Sequence, residues 1–479
     1  QSHSSQLAFL LQRGIHRVER FLDLTIPSVH ALPTEKATRL AIDEEISRTI
    51  GAAPHVHTET KSLLEETPED PEFIRFDEKK EPVEASLNQL IYWITSTEHG
   101  DTTELRKALC LTISSYTTPK SFFQRLVDRF SIVFEQIENE TTEYKRKPLR
   151  QSVIPIIDLM RDWLASTMGT MEDQTLAEVK EFVDTQLMPG YQKYCTDLFA
   201  RPIIQQTELQ GFPKVDLGNC KGLWTGDFEL TDLPALELAR QFTVWSSTKY
   251  NHIKREELLD CAWTTPRLRY RAPNVIALQD HGNLVANWVA DSILMIPRKK
   301  DRIARMKYFI ELAHHLYQLR NYYDAINVLG GFDSNALYRM PVHFSILPQA
   351  SKDLLEQLRS DLSTEHRCAN IRALQDKGHD DGVPLVPNIS IFLGDLFTYD
   401  DATVAYVDSL INVRKLKTIY KLITKIEMFQ DFSYNLLGVD QVQTKIEQIK
   451  MKDEDMLIER SMEVERDGAT ENDLLDIQK

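Results

Sequence analysis

An all-α fold is the class this sequence predicts. Glycine is scarce, at 17 of 479 residues. Apolar side chains recur every three or four positions over long stretches, the period of a helix with one buried face. Strictly alternating stretches, the mark of half-buried strands, are hard to find. With 42% hydrophobic and 27% charged residues, the chain has the composition of a globular protein. Its length suffices for two or three domains, each able to bury a core without metal or disulfide support.

The elements follow in order. Residues 5–50 carry two helical patterns. Residues 51–82 turn acidic, proline-containing and poor in aromatics, and read as a linker, so 1–84 is a helical segment plus linker. From about 84, Leu87, Leu90, Ile91 and Ile94 fall on one helical face, and a second helix covers about 103–113. Thr118-Pro119 is a start signal, a capping hydroxyl followed by proline at the first helical position. Phe122, Phe123, Leu126, Val127 and Phe130 follow at helical spacing. Further helices fit 149–166 and 174–188, which closes a first helical module at 85–190. Turn formers crowd 200–228, so 191–228 reads as a second linker. A larger helical block spans 229–466. Within it Ile303, Met306, Phe309, Ile310, Ala313 and Leu316 share one face of a helix over about 301–318. The acidic end, 467–479, reads as a fraying tail.

Charge and motifs exclude several functions. The balance of 56 basic and 72 acidic residues leaves −16, a poor match to nucleic acid or an anionic membrane. Cys110, Cys195, Cys220, Cys261 and Cys368 are odd in number and widely spaced. They argue against a disulfide framework or zinc site and for a reducing, cytoplasmic compartment. No apolar run approaches the ~18 residues of a membrane span, so no direct membrane insertion is expected. The opening QSHSSQ is no signal peptide and lacks Met, the expectation for a piece of a longer protein. Phosphate-binding glycine loops, GxSxG, HExxH and Cys-His arrangements are missing. Gly330-Gly331 reads as a helix-ending turn. His55 and His57 read as solvated, and His314-His315 as one partly buried and one exposed neighbour. KRKPLR at 145–150 reads as a solvated surface turn.

One segment stands out by charge. Residues 378–413 hold Asp380, Asp381, Asp395, Asp400, Asp401 and Asp408 and no Lys or Arg. Within it Ile389, Phe392, Leu393, Leu396 and Phe397 form a helical stripe that ends at Thr398-Tyr399-Asp400-Asp401-Ala402-Thr403. A second helix is expected next, with Val407, Leu410, Ile411, Ile419, Leu422, Ile423 and Ile426 apolar and with Arg414, Lys415 and Lys417 in its early turns. The pattern predicts a helical hairpin with an acidic tip, or an ordinary antiparallel helix pair in a core.

These residues resemble the Ras guanine-nucleotide exchange factor family. LPALELARQFTVWSSTKYNHIKREELLDCAW at 233–263 is similar to the opening of the catalytic exchange domain. So are NLVANWVADSIL at 283–294, the run from Arg302 to Met340, and LVPNISIFLGDLFTYDDAT at 385–403. LINVRKLKTIYKLITKIEMFQ at 410–430 resembles the second hairpin helix, and DEDMLIERSMEVE at 453–465 the closing helix. Upstream, LNQLIYWITS at 87–96 and SYTTPKSFFQRLVDRF at 115–130 resemble the Ras exchanger motif module. Residues 1–84 lie outside the resemblance.

The resemblance implies an exchange unit of two helical modules, 85–190 and 229–466, whose partner is a Ras-like small GTPase of the Ras, Rap or Ral type. It implies no cofactor of its own, because GDP, GTP and Mg²⁺ belong to the partner, and no covalent chemistry. In the family the hairpin enters the nucleotide site and displaces switch I. Phe397 stands at the apolar position that crowds the metal. Asp401 stands at the carboxylate position, one methylene shorter than the usual Glu. Thr403 stands where Asn or Thr bonds displaced switch I, and Ala402 replaces a Gly. Tyr308, Asp333, Asn388 and Asp400 are implied on the GTPase-binding surface. Tyr308 replaces Lys or Arg, Asp333 an Asn-like residue, and Asn388 an aromatic. Tyr338 and Arg339 match the family as supports of the fold, and Trp263 and Trp288 as core. Intact motifs with an altered tip also fit a GTPase-binding scaffold that exchanges weakly, and the segment alone fits a generic helical interaction module.

Overall fold

The computed structural model describes residue 63 and residues 66–470, apart from 170, 200–212, 219, 221 and 224. The helices expected within 5–50, and His55 and His57, lie outside the described residues. Helices dominate the rest, and the chain forms two compact units. One takes the described residues before 205 together with Tyr399–Lys421, and the other takes the remainder.

The first unit opens with two strands where a linker was expected. β1 (Ile74–Phe76) pairs antiparallel with β2 (Pro82–Ala85), with Ile74 opposite Ala85 and Arg75 opposite Glu84. The charged turn between them is organised by Asp77, whose carboxylate accepts from the N–H of Lys79 at 2.8 Å and of Glu81 at 3.0 Å. Strands this short carry too little alternation to register as a period. They are completed only by a distant partner, β4 (Leu410–Asn412), which pairs with β2 and with β3 (Tyr406–Val407) in the order β1-β2-β4-β3.

The helices of this unit follow their sequence signals. Ser86 caps α1 (Leu87–Ile94) through the N–H of Gln89. After α2 (Thr103–Thr112), Thr118 caps α3 (Pro119–Asn139) through the N–H of Ser121. The KRKPLR stretch is helical rather than a turn: α4 (Glu143–Gln151) buries no residue, and its charges are solvated around Pro148. α5 (Ile154–Thr167), α6 (Asp173–Phe182) and α7 (Met188–Cys195) complete the module. Phe122, Leu126 and Phe130 of α3 and Trp163 of α5 sit in one core with Ile411, Val413 and Leu416. Each large apolar side chain so enclosed contributes roughly 1.5–3 kcal/mol relative to exposure.

The second unit is a helical bundle built on α8 (Ala235–Asn251), α9 (Pro273–Leu294), α10 (Lys299–Gln318) and α11 (Tyr322–Phe332). α9 packs on α11, and α10 on both α8 and α11. Gly331 permits the α9–α11 approach: a Cβ there would lie 2.6 Å from the Val289 Cβ and 2.8 Å from the Ala286 carbonyl. The buried stripe of α10 holds Met306, Phe309, Ile310, Ala313 and Leu316, but its first member is Arg302, not Ile303. A buried guanidinium is tolerable because its donors are met. It donates to the carbonyls of Ile296 and Pro297 at 2.9 and 2.8 Å and to His343 Nε2 at 3.2 Å. Short helices α12 (Asn335–Tyr338) and α13 (Pro341–Ser345) lead to α14 (Gln349–Asp361), α15 (Glu365–Asp380) and α16 (Ile389–Ala402). After the β3–β4 turn come α17 (Val413–Glu427), α18 (Asp440–Glu447) and α19 (Glu454–Val464). No helix among the described residues is long and apolar enough to cross a membrane.

Candidate functional site

The sequence signals converge on α16. Asn388 starts it: its side-chain oxygen accepts from the N–H of Ser390 at 3.2 Å, and its own N–H donates to Gln375 Oε1 at 2.7 Å. Such an N-cap satisfies backbone donors that the first turn leaves open. Ile389, Phe392, Leu393 and Leu396 are buried, and Phe392 packs on Phe429 with ring centroids 5.5 Å apart. Phe397 continues the same stripe yet is 45% exposed. The core ends one turn before the helix does.

Charge sorts in the same way. Asp395 is held by Arg372 through two bonds of 2.7 and 2.9 Å. Asp400 pairs with Lys415 at 2.7 Å. Asp401, four residues beyond Phe397, is exposed and has no side-chain hydrogen bond or ion pair among the described residues. It is therefore the one uncompensated carboxylate of the three on α16. Thr403 follows the helix end, half-buried, with its carbonyl accepting from Lys415 Nζ at 2.6 Å. Val404 beside it is 64% exposed.

The second arm departs from the expected continuous helix. Val407, Leu410 and Ile411 lie in the strands β3 and β4 or at their ends, and α17 starts only at Val413. Asp408 and Ser409 join the strands with φ of 48° and 70°, the conformation of a two-residue hairpin turn whose twist suits the flanking strands. The readable signal was a polar pair between Tyr406-Val407 and Leu410-Ile411. Asn412 then fastens the turn to the helix. Its N–H donates to the Ala405 carbonyl at 2.9 Å, its amide to the Val404 carbonyl at 3.1 Å, and its oxygen accepts from the N–H of Lys415 at 3.1 Å. Cations answer much of the acidic segment. Arg75 bonds both Glu84 at 2.6 Å and Asp408 at 2.8 Å.

The other candidates are distributed differently. Tyr308, on α10, donates its hydroxyl to the Leu233 carbonyl at 2.9 Å, and burial pushes its phenol far above the ordinary range. Asp333 caps the end of α11 and pairs with Arg359. Among the described residues, neither has a hydrogen bond or ion pair to a side chain of α16. The Tyr338-Arg339 pair splits. Arg339 turns inward to Ser461 Oγ at 3.2 Å and the Glu465 carbonyl at 2.9 Å, whereas Tyr338 is 76% exposed. Tyr338 was expected among the supports of the fold. Pattern alone carries no signal for its exposure, because α12 is a single turn.

Comparison with known proteins finds two family matches. Residues 237–417 match the RasGEF domain, and residues 82–182 match the RasGEF N-terminal motif. The chain is similar to Ras guanine nucleotide exchange factor J of Dictyostelium discoideum, 26% identical over 407 residues, covering 82% of this chain and 49% of that protein. Ras guanine nucleotide exchange factor I of the same organism is 25% identical over 404 residues, with 82% and 48% covered. Factor A is 26% identical over 399 residues, with 80% and 62% covered. The chain thus spans about half the length of the first two relatives. With both modules matched in order, the chain belongs to the Ras guanine nucleotide exchange factor family.

Proposed function

We propose that this chain acts as a guanine-nucleotide exchange factor on a Ras-like small GTPase of the Ras, Rap or Ral type. The observation that carries the reading is the last turn of α16, where Phe397 is exposed and Asp401 uncompensated while the other two carboxylates of that helix are paired. Phe397, 45% exposed, leaves roughly half of the burial of a large apolar side chain, about 1 kcal/mol, for a partner surface to recover.

In this reading the hairpin enters the nucleotide site of the GTPase. Phe397 crowds the metal position, Asp401 takes over contacts that served phosphate and metal, and Thr403 bonds displaced switch I. GDP, GTP and Mg²⁺ belong to the partner, and the exchanger breaks no covalent bond and needs no cofactor. Its work is differential binding: it favours the nucleotide-free GTPase, and that preference drives release. An acceleration of about 10⁵ corresponds to ~7 kcal/mol of barrier. Tyr308, Asp333, Asn388 and Asp400 contribute to GTPase binding, Tyr308 and Asn388 by fixing α10 and the start of α16. The site of action is cytoplasmic, with any membrane recruitment coming through the partner or through further domains of the protein.

Two departures from the family pattern favour a second reading. Asp401 is a methylene shorter than Glu and Ala402 stands at a Gly position, so a GTPase-binding scaffold of the same fold remains the alternative. One experiment separates the two. Release of a fluorescent GDP analogue is followed from Ras, Rap and Ral-type GTPases with micromolar chain and excess GTP. Fast release from one GTPase, lost in Phe397→Ala/Asp401→Ala, supports exchange and names the partner. A complex with nucleotide-free GTPase but no acceleration supports the scaffold.

A further inference from the structure

We infer that Lys415 is a positioning residue for the tip of α16, an inference that rests on the exchange reading above. Lys415 lies in the first turn of α17, and its side chain is only 13% exposed. An ammonium group has three N–H donors. Here each meets an acceptor: the Asp400 carbonyl at 2.8 Å, the Thr403 carbonyl at 2.6 Å and the Asp400 carboxylate at 2.7 Å. The two carbonyls bracket Asp401 and Ala402. They belong to the last turn of α16 and the residue that follows it, where a helix leaves its last carbonyls without intrahelical partners and presents partial negative charge. One half-buried cation therefore satisfies that end and fixes the backbone on both sides of the exposed carboxylate.

The base of the clamp is itself held. Asn412 accepts the Lys415 N–H at 3.1 Å and donates to the Val404 carbonyl at 3.1 Å. The loop that carries Thr403 is thus tied to α17 at two points. Lys415 also compensates Asp400, which leaves the neighbouring Asp401 as the charge on offer. The clamp aims a group that touches the partner but does not touch the partner itself. Its loss should weaken the nucleotide-releasing step rather than the initial grip on the GTPase.

The test is exchange kinetics with the whole chain on the GTPase that responds, varying GTPase concentration to separate kcat from KM. Lys415→Met should lower kcat by on the order of tenfold to a hundredfold, the scale of a small misplacement of a reacting group, with KM changed less than about twofold. Lys415→Met/Asp400→Asn should keep the low kcat, because removing the stranded carboxylate does not restore the carbonyl clamp, and loss of the Asp400 carboxylate from GTPase binding is read in KM. Amide exchange over residues 399–405 should quicken in both variants, with α3 unchanged. Wild-type kcat in Lys415→Met, or full recovery in the double variant, would overturn the positioning role while leaving exchange intact. Absence of release with the wild-type chain on every GTPase would instead sink the exchange reading and the inference with it.

Discussion

Helices α3 and α16 carry the same kind of apolar stripe and use it differently. In α3, Phe122, Phe123, Leu126 and Phe130 are all buried, and Phe122 and Phe123 both meet Trp163, at 5.5 and 6.3 Å. In α16, Ile389, Phe392, Leu393 and Leu396 are buried and the next member, Phe397, is 45% exposed. The helices do not differ in period. They differ in how far their neighbours extend alongside: α3 is covered by α1, α5 and α6, whereas the stripe of α16 outruns its core. An apolar period thus reports which face of a helix turns inward, and packing decides how much of that face is covered.

The contrast breaks most sharply on stability. Phe122→Ala should cost about 3–5 kcal/mol in chemical denaturation, the price of a cavity at a fully enclosed ring. Phe397→Ala should stay within about 0.5 kcal/mol of wild type, as substitutions at open positions do. A large loss at Phe397 would mean that the last turn of α16 is core after all. Function should reverse the order. Phe397→Ala should slow GDP release by on the order of a hundredfold, ~2.7 kcal/mol of barrier, and Asp401→Asn by about tenfold. Asp395→Asn should leave release near wild type, since that carboxylate is already committed to Arg372.

Enclosure also gives a pH dependence. His343 is buried and accepts from Arg302 at Nε2, while Nδ1 lies 2.7 Å from Glu465 Oε2. Burial outweighs the bond to Glu465 and holds the imidazole below its ordinary value. The unfolded chain takes up the proton near pH 6.5 while the folded state resists it. The stability this neutral form contributes is therefore complete above that pH. It declines as pH falls through 6.5 towards the lower folded value, by no more than about 1.4 kcal/mol per pH unit. Denaturation curves between pH 7.5 and 5.5 should show the slope, and His343→Gln should flatten it. A slope of opposite sign would mean that the folded state stabilises the imidazolium. The smallest effect belongs to an open pair. Lys421 and Glu104 lie 3.2 Å apart with side chains 65% and 47% exposed, so Lys421→Ala should move stability by at most about 0.5 kcal/mol.

What was legible in the sequence follows from locality. The cap at Thr118 is decided within three or four residues, as is the buried face of α10 from Met306 onward. The position of Phe397 and Asp401 four residues apart on one helix is decided in the same way. Ordered motifs were enough to indicate the family, because they record many local choices at once. The sheet was not legible: β1 and β2 are short, sit in an acidic stretch, and are joined to β3 only through β4 far along the chain. Arg302 was not legible either, since burial of a guanidinium depends on carbonyls and an imidazole supplied by other elements. Nor did the six aspartates of 378–413 reveal which of them would be compensated. Arg372, Lys415 and Arg75 are assigned to Asp395, Asp400 and Asp408 by the folded chain alone. Sequence by itself determined most of the helices, the start of α3 and the residue types at the tip. Tertiary structure decided which apolar ring stays outside the core and which carboxylate stays unpaired, because exposure and pairing are properties of neighbours that local periodicity does not contain.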